Sequence, residues 1–62
     1  MFNVGDLVEH VRMEGRRYNI VDRFDNYFGD TVYVFRKEGD NSQHPLEFKE
    51  FAKYANNDYR KV

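Results

Sequence analysis

Residues 31–36, Thr-Val-Tyr-Val-Phe-Arg, begin with five consecutive β-branched or aromatic residues. Such side chains are enriched in strands because they pack well on a pleated surface. Successive residues of a strand point to opposite faces, so both faces of this segment would be apolar. The run therefore predicts a central strand that is covered on both sides, or a strand at one edge of a barrel.

The chain around this strand has 62 residues, which is room for a single domain, residues 1–62. It contains no cysteine, so it has no disulfide scaffold, thiolate metal site or cysteine nucleophile. Buried large side chains must stabilise the fold instead, and the chain supplies six Phe and five Tyr. We expect most of these rings in the core of a small β-barrel.

The composition also indicates where such a chain is found. Its apolar fraction of 40% and aromatic fraction of 18% are too high for a disordered protein. No apolar run approaches the roughly 18 residues of a transmembrane helix, and the amino terminus lacks the pattern of a signal peptide. We expect a soluble, cytoplasmic protein without membrane contact. A reading frame of this size that begins at methionine is typical of accessory genes of bacteria and their phages.

Two further segments are interpreted as strands. Residues 7–12 form a short β-prone run, and residues 18–24 alternate in a way that favours a strand. Residues 25–30 predict a turn in which Gly29 supplies a positive φ. Gly5 is expected to occupy a turn as well.

The last third of the chain is ambiguous. A helix is indicated by four apolar residues at helical spacing after Pro45, namely Phe48, Phe51, Ala52 and Ala55. Leu46 and Phe48 also alternate, however, and residues 54–59 are similar to two short strands joined by an Asn-rich turn. The pattern favours one helical turn near residues 47–52, followed by a short strand or hairpin. The whole sequence predicts a mainly β fold, a small SH3-like barrel of four to five short antiparallel strands with that helical turn.

Four segments follow one another in a characteristic order: Val-Glu-His (residues 8–10), Tyr-Asn-Ile-Val (18–21), Val-Tyr-Val-Phe-Arg (32–36) and His-Pro-Leu-Glu-Phe (44–48). This order resembles a family of small bacterial domains of unknown function, in which a Val-Tyr-Arg strand precedes a Pro-Leu-x-Met-Phe segment. The resemblance implies an SH3-like barrel. The chain departs from the family pattern after its proline, where Phe48 and Lys49 stand in place of Met-Phe.

The opening Val-Gly-Asp-Leu-Val, residues 4–8, is similar to the start of KOW-like barrels that bind nucleic acid or the transcription machinery. A small basic and aromatic group follows in the first long loop: Arg12, Arg16, Arg17 and Tyr18. Cations beside a ring suit single-stranded nucleic acid, whereas the net charge of -1 lacks the basic excess of a duplex-binding module. Nucleic-acid binding by these four residues, with RNA or DNA left open, is the alternative function. Scattered solubilising charge is the other interpretation.

The sequence shows no pattern typical of catalysis or metal binding. His10 and His44 are not at the spacing of a zinc site, and the three aspartates of residues 22–30 do not follow the calcium-loop pattern. The hydroxyls of Thr31 and Ser42 lie outside any nucleophile motif. We predict that the protein is not an enzyme and has no cofactor or metal.

Tyr27 and Phe28 are adjacent aromatic residues in a polar loop. Exposed neighbouring rings are typical of protein contacts, while folding back over one open end of the barrel is the alternative. We predict that Tyr27, Phe28 and Tyr33 bind a protein partner. The predicted function is a non-catalytic interaction module, an accessory or host-factor-modulating protein of a bacterium or phage, which acts as a monomer or a small homo-oligomer.

Overall fold

The computed structural model describes all residues, 1–62, and contains five strands and one helix. In chain order these are β1 Leu7–His10, β2 Arg17–Asp25, β3 Thr31–Lys37, β4 Glu47–Phe51, α1 Ala52–Asp58 and β5 Tyr59–Lys61. The strands form one antiparallel sheet in the order β4-β3-β2-β1-β5, so β4 and β5 are its two edges. The predicted mainly β fold, a small barrel-like sheet of short antiparallel strands, is confirmed.

β3 is a central strand with two apolar faces. It pairs with β2 on one side and with β4 on the other. Tyr33 and Phe35 point to one face and Val32 and Val34 to the other, because strand residues alternate, and all four are buried. The structure therefore confirms that residues 31–36 form a strand covered on both sides.

A register shift in β2 moves part of that strand from one face of the sheet to the other. Ile20 lies opposite Phe35, but Asp22 lies opposite Val34, so Val21 is the extra residue of a β-bulge. Without the bulge, Ile20 and Asp22 would share a face. With the bulge, Ile20 points into the core, whereas Asp22 and Phe24 point to the opposite face of the sheet.

The core lies on the Tyr33 face and is covered by α1. Its largest fully buried side chains are Val8, Ile20, Tyr33 and Phe35. Ala52 and Ala55, one turn apart on α1, pack against this cluster, and Phe2 closes it from the amino terminus. The backbone N–H of Phe2 donates to Tyr33 Oη over 3.1 Å, and this hydroxyl donates to Asn56 Oδ1 over 3.3 Å. The prediction that Phe35 is a core residue is confirmed.

Fewer rings are buried than the sequence predicts. Among the phenylalanines only Phe2 and Phe35 are buried, whereas four are more than a third exposed: Phe24, Phe28, Phe48 and Phe51. The expectation that most rings form the core is wrong for Phe24, Phe48 and Phe51, whereas Phe28 was predicted to lie in an exposed loop. Phe24 and Phe51 lie on the face of the sheet that the helix does not cover, and Phe48 lies opposite Phe35 on the edge strand β4, where solvent reaches part of its ring.

The predicted position of the helical turn is also wrong. Residues 47–51 form β4, paired with β3 from Glu47 opposite Arg36 to Phe51 opposite Val32, and the helix begins only at Ala52. Pairing with a buried central strand outweighs the helical spacing of Phe48 and Phe51, because intrinsic propensity is a weak constraint beside tertiary contacts. The two asparagines expected in a turn lie in α1 instead.

Gly29 has φ 83° and Gly5 has φ 97°, so both predicted turn glycines adopt a left-handed backbone conformation. This conformation is disfavoured for residues with a Cβ. No helix of the protein has the length and apolar character needed to cross a bilayer.

Candidate binding surface

Tyr27 and Phe28 form an exposed aromatic pair at the turn between β2 and β3, which we call the aromatic tip. Tyr27 is 96% exposed and Phe28 is 84% exposed. Their rings contact each other edge to face, with centroids 5.5 Å apart. Neither ring folds back over the barrel, so the structure leaves both side chains open to a partner.

The side chain of Asn26 holds this turn in place. Asn26 Oδ1 accepts hydrogen bonds from the backbone N–H groups of Phe28, at 2.9 Å, and Asp30, at 3.0 Å. The Gly29 N–H donates to the Asn26 carbonyl over 3.0 Å, which closes a tight turn with Tyr27 and Phe28 at its centre. The tip is therefore an ordered turn whose two central residues project their rings into solvent.

Tyr33 does not belong to this site. It is fully buried, and its ring packs against Phe2 and Phe35 in the core. The prediction that Tyr33 contacts a partner is wrong, because residue 33 shares a strand face with Phe35 and α1 covers that face.

A groove with aromatic walls lies on the opposite face of the sheet, beside the aromatic tip. It encloses about 500 Å³, and its lining residues are Phe24, Asn26, Val32, Lys49, Glu50, Phe51 and Tyr54. We call it the aromatic groove. Its floor is one cross-strand row, in which Val32 of β3 lies opposite both Phe24 of β2 and Phe51 of β4. Asn26 connects groove and tip, since it lines the groove and also shapes the turn.

The ring residues of this groove, Phe24, Phe51 and Tyr54, were not predicted as site residues, because such rings were expected in the core. Phe24 reaches the groove face only because of the bulge at Val21. The strand alternation that places Phe35 in the core places Val32 on the other face, and this was the available signal that a second apolar face exists.

Two lysines lie over the rings of the groove. Lys49 Nζ is 5.7 Å from the Phe24 ring centroid, and Lys53 Nζ is 5.5 Å from that of Phe51 and 5.4 Å from that of Tyr54. Such cation–π contacts hold the ammonium groups near the aromatic surface. Neither lysine takes part in any of the ion pairs of the protein. The groove therefore combines apolar rings with two cations that have no carboxylate partner.

A second, smaller cleft contains part of the predicted basic group. It encloses about 260 Å³ and is lined by Gly15, Arg16, Arg17, Tyr18 and Lys37. We call it the basic cleft. Three of the four predicted residues meet there, but Arg12 does not, and Lys37 was missed. Lys37 joins the cleft because it lies opposite Tyr18 in the pairing of β2 with β3.

Two of the residues in the basic cleft also have structural contacts. Arg17 Nε donates to Glu9 Oε2 over 3.3 Å, and the Tyr18 ring packs edge to face on Phe48, with centroids 5.1 Å apart. Arg16 and Lys37 have no ion pair. The cations available to a ligand here are therefore chiefly Arg16 and Lys37, and Tyr18 is engaged with the core.

The remaining arginines and the carboxyl-terminal lysine are mostly bound within the fold. Arg36 pairs with Glu47 across β3 and β4. Arg60 pairs with Glu9, and Lys61 Nζ lies 3.5 Å from Asp6 Oδ1. Each of these three cations is therefore paired with a carboxylate of the fold.

The histidines do not form a metal site. His10 Nδ1 accepts the Arg12 backbone N–H over 3.1 Å, and its ring packs edge to face on Tyr59 with centroids 5.1 Å apart. Nowhere do three His, Asp or Glu side chains converge in a way that could hold an ion.

The burial of Tyr59 raises the pKa of its hydroxyl above the usual value.

Comparison of the chain with models of protein families, with characterised proteins and with solved structures finds no match. The residues themselves are thus the basis for any statement about function.

Proposed function

We propose that the protein is a non-catalytic binding module that recognises a protein partner through the aromatic tip and the aromatic groove. The observation that supports this most strongly is the exposure of Tyr27 and Phe28, at 96% and 84%, on an ordered turn. Three further rings, those of Phe24, Phe51 and Tyr54, lie partly exposed in the adjoining groove.

The energetics of interfaces favour such a surface. Truncating an aromatic side chain that is fully buried at an interface often costs ~2 kcal/mol or more of binding free energy, which makes the residue a hot spot. The tip turn is already ordered by Asn26, so binding need not order its backbone. A contiguous exposed apolar patch on a small protein is typical of an interaction site.

The broader role is part of the same proposal. A 62-residue binding domain suits an accessory protein of a bacterium or phage that modulates a host factor in the cytoplasm. We propose that it acts as a monomer or a small homo-oligomer, and that it uses no cofactor.

The test compares two double variants of the full chain. Tyr27→Ala with Phe28→Ala removes the aromatic tip, and Arg16→Ala with Lys37→Ala removes the two unpaired cations of the basic cleft. Cross-linked partners from a bacterial lysate are quantified for each variant against the wild type. Loss of a captured protein with the first variant alone is expected, and equal capture by wild type and tip variant contradicts the proposal.

A melting curve for each variant is the matched control. Both tip side chains are exposed, so their removal should leave the fold intact. A tip variant that no longer unfolds cooperatively would mean that the rings stabilise the fold, and the site assignment would then be wrong.

Nucleic-acid binding at the basic cleft is the second candidate function. It is favoured by the convergence of Arg16, Arg17 and Lys37 in one cleft. Binding of labelled single-stranded RNA and DNA across a salt series tests it, because phosphate contacts weaken steeply as salt rises. Salt-dependent binding that is lost with Arg16→Ala and Lys37→Ala would place this function first.

A further inference from the structure

We propose that the partner segment is an extended peptide that joins the sheet as an additional strand beside β4, along the outer wall of the aromatic groove. It places an apolar side chain opposite Phe51 and a carboxylate opposite Lys49. This inference rests on the proposed function, since it names the kind of protein segment that the groove binds.

The first argument is the free backbone edge of β4. This strand is at one end of the sheet and pairs only with β3. None of the backbone hydrogen bonds outside the helix and strand ladders involves residues 47–51. The outer edge of β4 thus presents unpaired N–H and C=O groups, which are the template on which an extended peptide adds to a sheet. β5, the other edge, has only three residues.

The second argument is the position of the groove along that edge. Lys49 and Phe51 lie on the same face of β4, because residues two apart in a strand share a face. An added strand places alternate side chains on this face, directly opposite those of β4. The side chain opposite Phe51 would thus pack on the outer side of the Phe51 ring, which forms the wall of the groove at this edge.

The spacing of the recognised residues follows from strand direction. Every pair of neighbouring strands in the sheet is antiparallel. In an added antiparallel strand, the residue opposite Phe51 comes two positions before the residue opposite Lys49. The expected motif is therefore an apolar residue, any residue, then Asp or Glu.

The third argument is charge. Lys49 and Lys53 both lie over groove rings without a carboxylate partner. A carboxylate opposite Lys49 supplies the missing opposite charge when the flexible Lys49 side chain turns from the Phe24 ring towards the edge of the sheet. A two-fold pairing of two β4 strands centred on Lys49 would set two ammonium groups opposite each other, which is destabilising. A nucleic acid suits the lysines but has no peptide backbone to continue the ladder.

The experiment begins with a displayed library of short random peptides, selected on the full chain. Enrichment of the apolar-x-acidic motif is expected. A selected peptide is then synthesised with an N-methyl group at each backbone amide in turn. Strand addition predicts a loss of affinity of about tenfold or more at every second position and little change between them, because only alternate amides face β4.

A charge exchange tests the assigned register. Lys49→Glu should weaken a selected peptide by about tenfold, and replacing the acidic peptide residue by Lys should restore most of that loss, since the pair is opposite in the added strand. Arg12→Glu reverses the charge of an exposed cation that has no ion pair and lines neither the groove nor the basic cleft, so it is the matched control and should leave affinity unchanged.

Three results would overturn the inference. The first is an absence of the motif together with methylation effects that do not alternate. The second is a concentration-dependent dimer, seen by sedimentation, that competes with the peptides. The third is oligothymidylate binding that is lost with Phe51→Ala.

If methylation effects do not alternate but binding still requires Tyr27 and Phe28, the proposed function stands and strand addition fails. If they alternate and the tip variant binds normally, strand addition stands and the role of the tip fails.

Discussion

At the scale of single residues, the Glu9 side chain links several elements of the fold through hydrogen bonds. It is the only buried charged side chain, and it accepts hydrogen bonds from Arg60 Nη2 at 2.9 Å, the Gly15 N–H at 3.1 Å and Arg17 Nε at 3.3 Å. One carboxylate thereby joins β1, the following loop, β2 and β5. The Arg60 hydrogen bond, followed by that of Gly15, lowers the pKa of Glu9 from 4.5 to about 2.

This pKa predicts how stability depends on pH. Because the folded-state pKa lies below the ordinary one, ionised Glu9 stabilises the fold above about pH 4.5, and the contribution is lost as the pH falls towards 2. We expect the Tm of the wild type to fall across this window and that of Glu9→Gln to fall less, in thermal melts at stepped pH. Glu14→Gln changes an exposed carboxylate without an ion pair, so it should behave as wild type. Parallel Tm curves for wild type and Glu9→Gln would show that Glu9 is not responsible.

Phe35 provides the matching prediction for the core. Its ring is fully buried and contacts Tyr18, Phe48 and Tyr59. Phe35→Ala should lower the free energy of unfolding by about 3–5 kcal/mol, which is much of the stability of a small domain. Urea titration measures this. Phe24→Ala removes a ring that is 37% exposed and should cost clearly less. Equal losses for the two variants would contradict the burial difference.

The same residues show what a sequence can predict at this scale. Phe35 was recognised as core because its strand is apolar on both faces. That pattern does not say which face becomes the core, however, so Tyr33 was assigned to a binding surface although it shares the face of Phe35. Tyr27 and Phe28 were identified correctly as loop residues, because adjacent rings in a polar turn have no strand partner to bury them.

At the scale of elements, the turn that carries the aromatic tip depends on one backbone conformation. Gly29 has φ 83°, and a Cβ added there meets no neighbouring atom, so any cost of substitution comes from the backbone. Gly29→Ala should therefore destabilise the fold by about 1 kcal/mol or more, measured by urea denaturation. Chemical synthesis with D-alanine at position 29 is the control and should restore stability, because a D-residue favours positive φ. A destabilised D-alanine protein would point to a steric cause instead.

Elements were predictable where local pattern and tertiary pairing agree. The strand at residues 31–36 and the turn at residues 25–30 meet this condition. The aromatic groove does not, because it depends on the bulge at Val21, which moves Phe24 to the outer face, and on the pairing of β4 with β3. The bulge has no local signal. The alternation of Leu46 and Phe48 was weaker than the helical spacing of the apolar residues, so residues 47–52 were assigned a helical turn.

At the scale of the whole molecule, protection should decrease from the centre of the sheet to its edges. β3 is hydrogen-bonded on both sides and buried on both faces, whereas β4 and β5 each pair on one side only. We expect the amides of Tyr33 and Phe35 to exchange with deuterium slowest, through global unfolding, and those of β5 to exchange through local opening. Exchange followed by NMR at increasing urea separates the two cases, because only global opening depends steeply on denaturant. The amides on the free edge of β4 are also expected to exchange fast. Slower exchange of these amides after a peptide is added would show that the peptide has formed backbone hydrogen bonds with β4. If β5 instead exchanged together with β3, the bonds of Glu9 to Arg17 and Arg60 would have to couple that edge to the core, and Glu9→Gln should then release β5 alone.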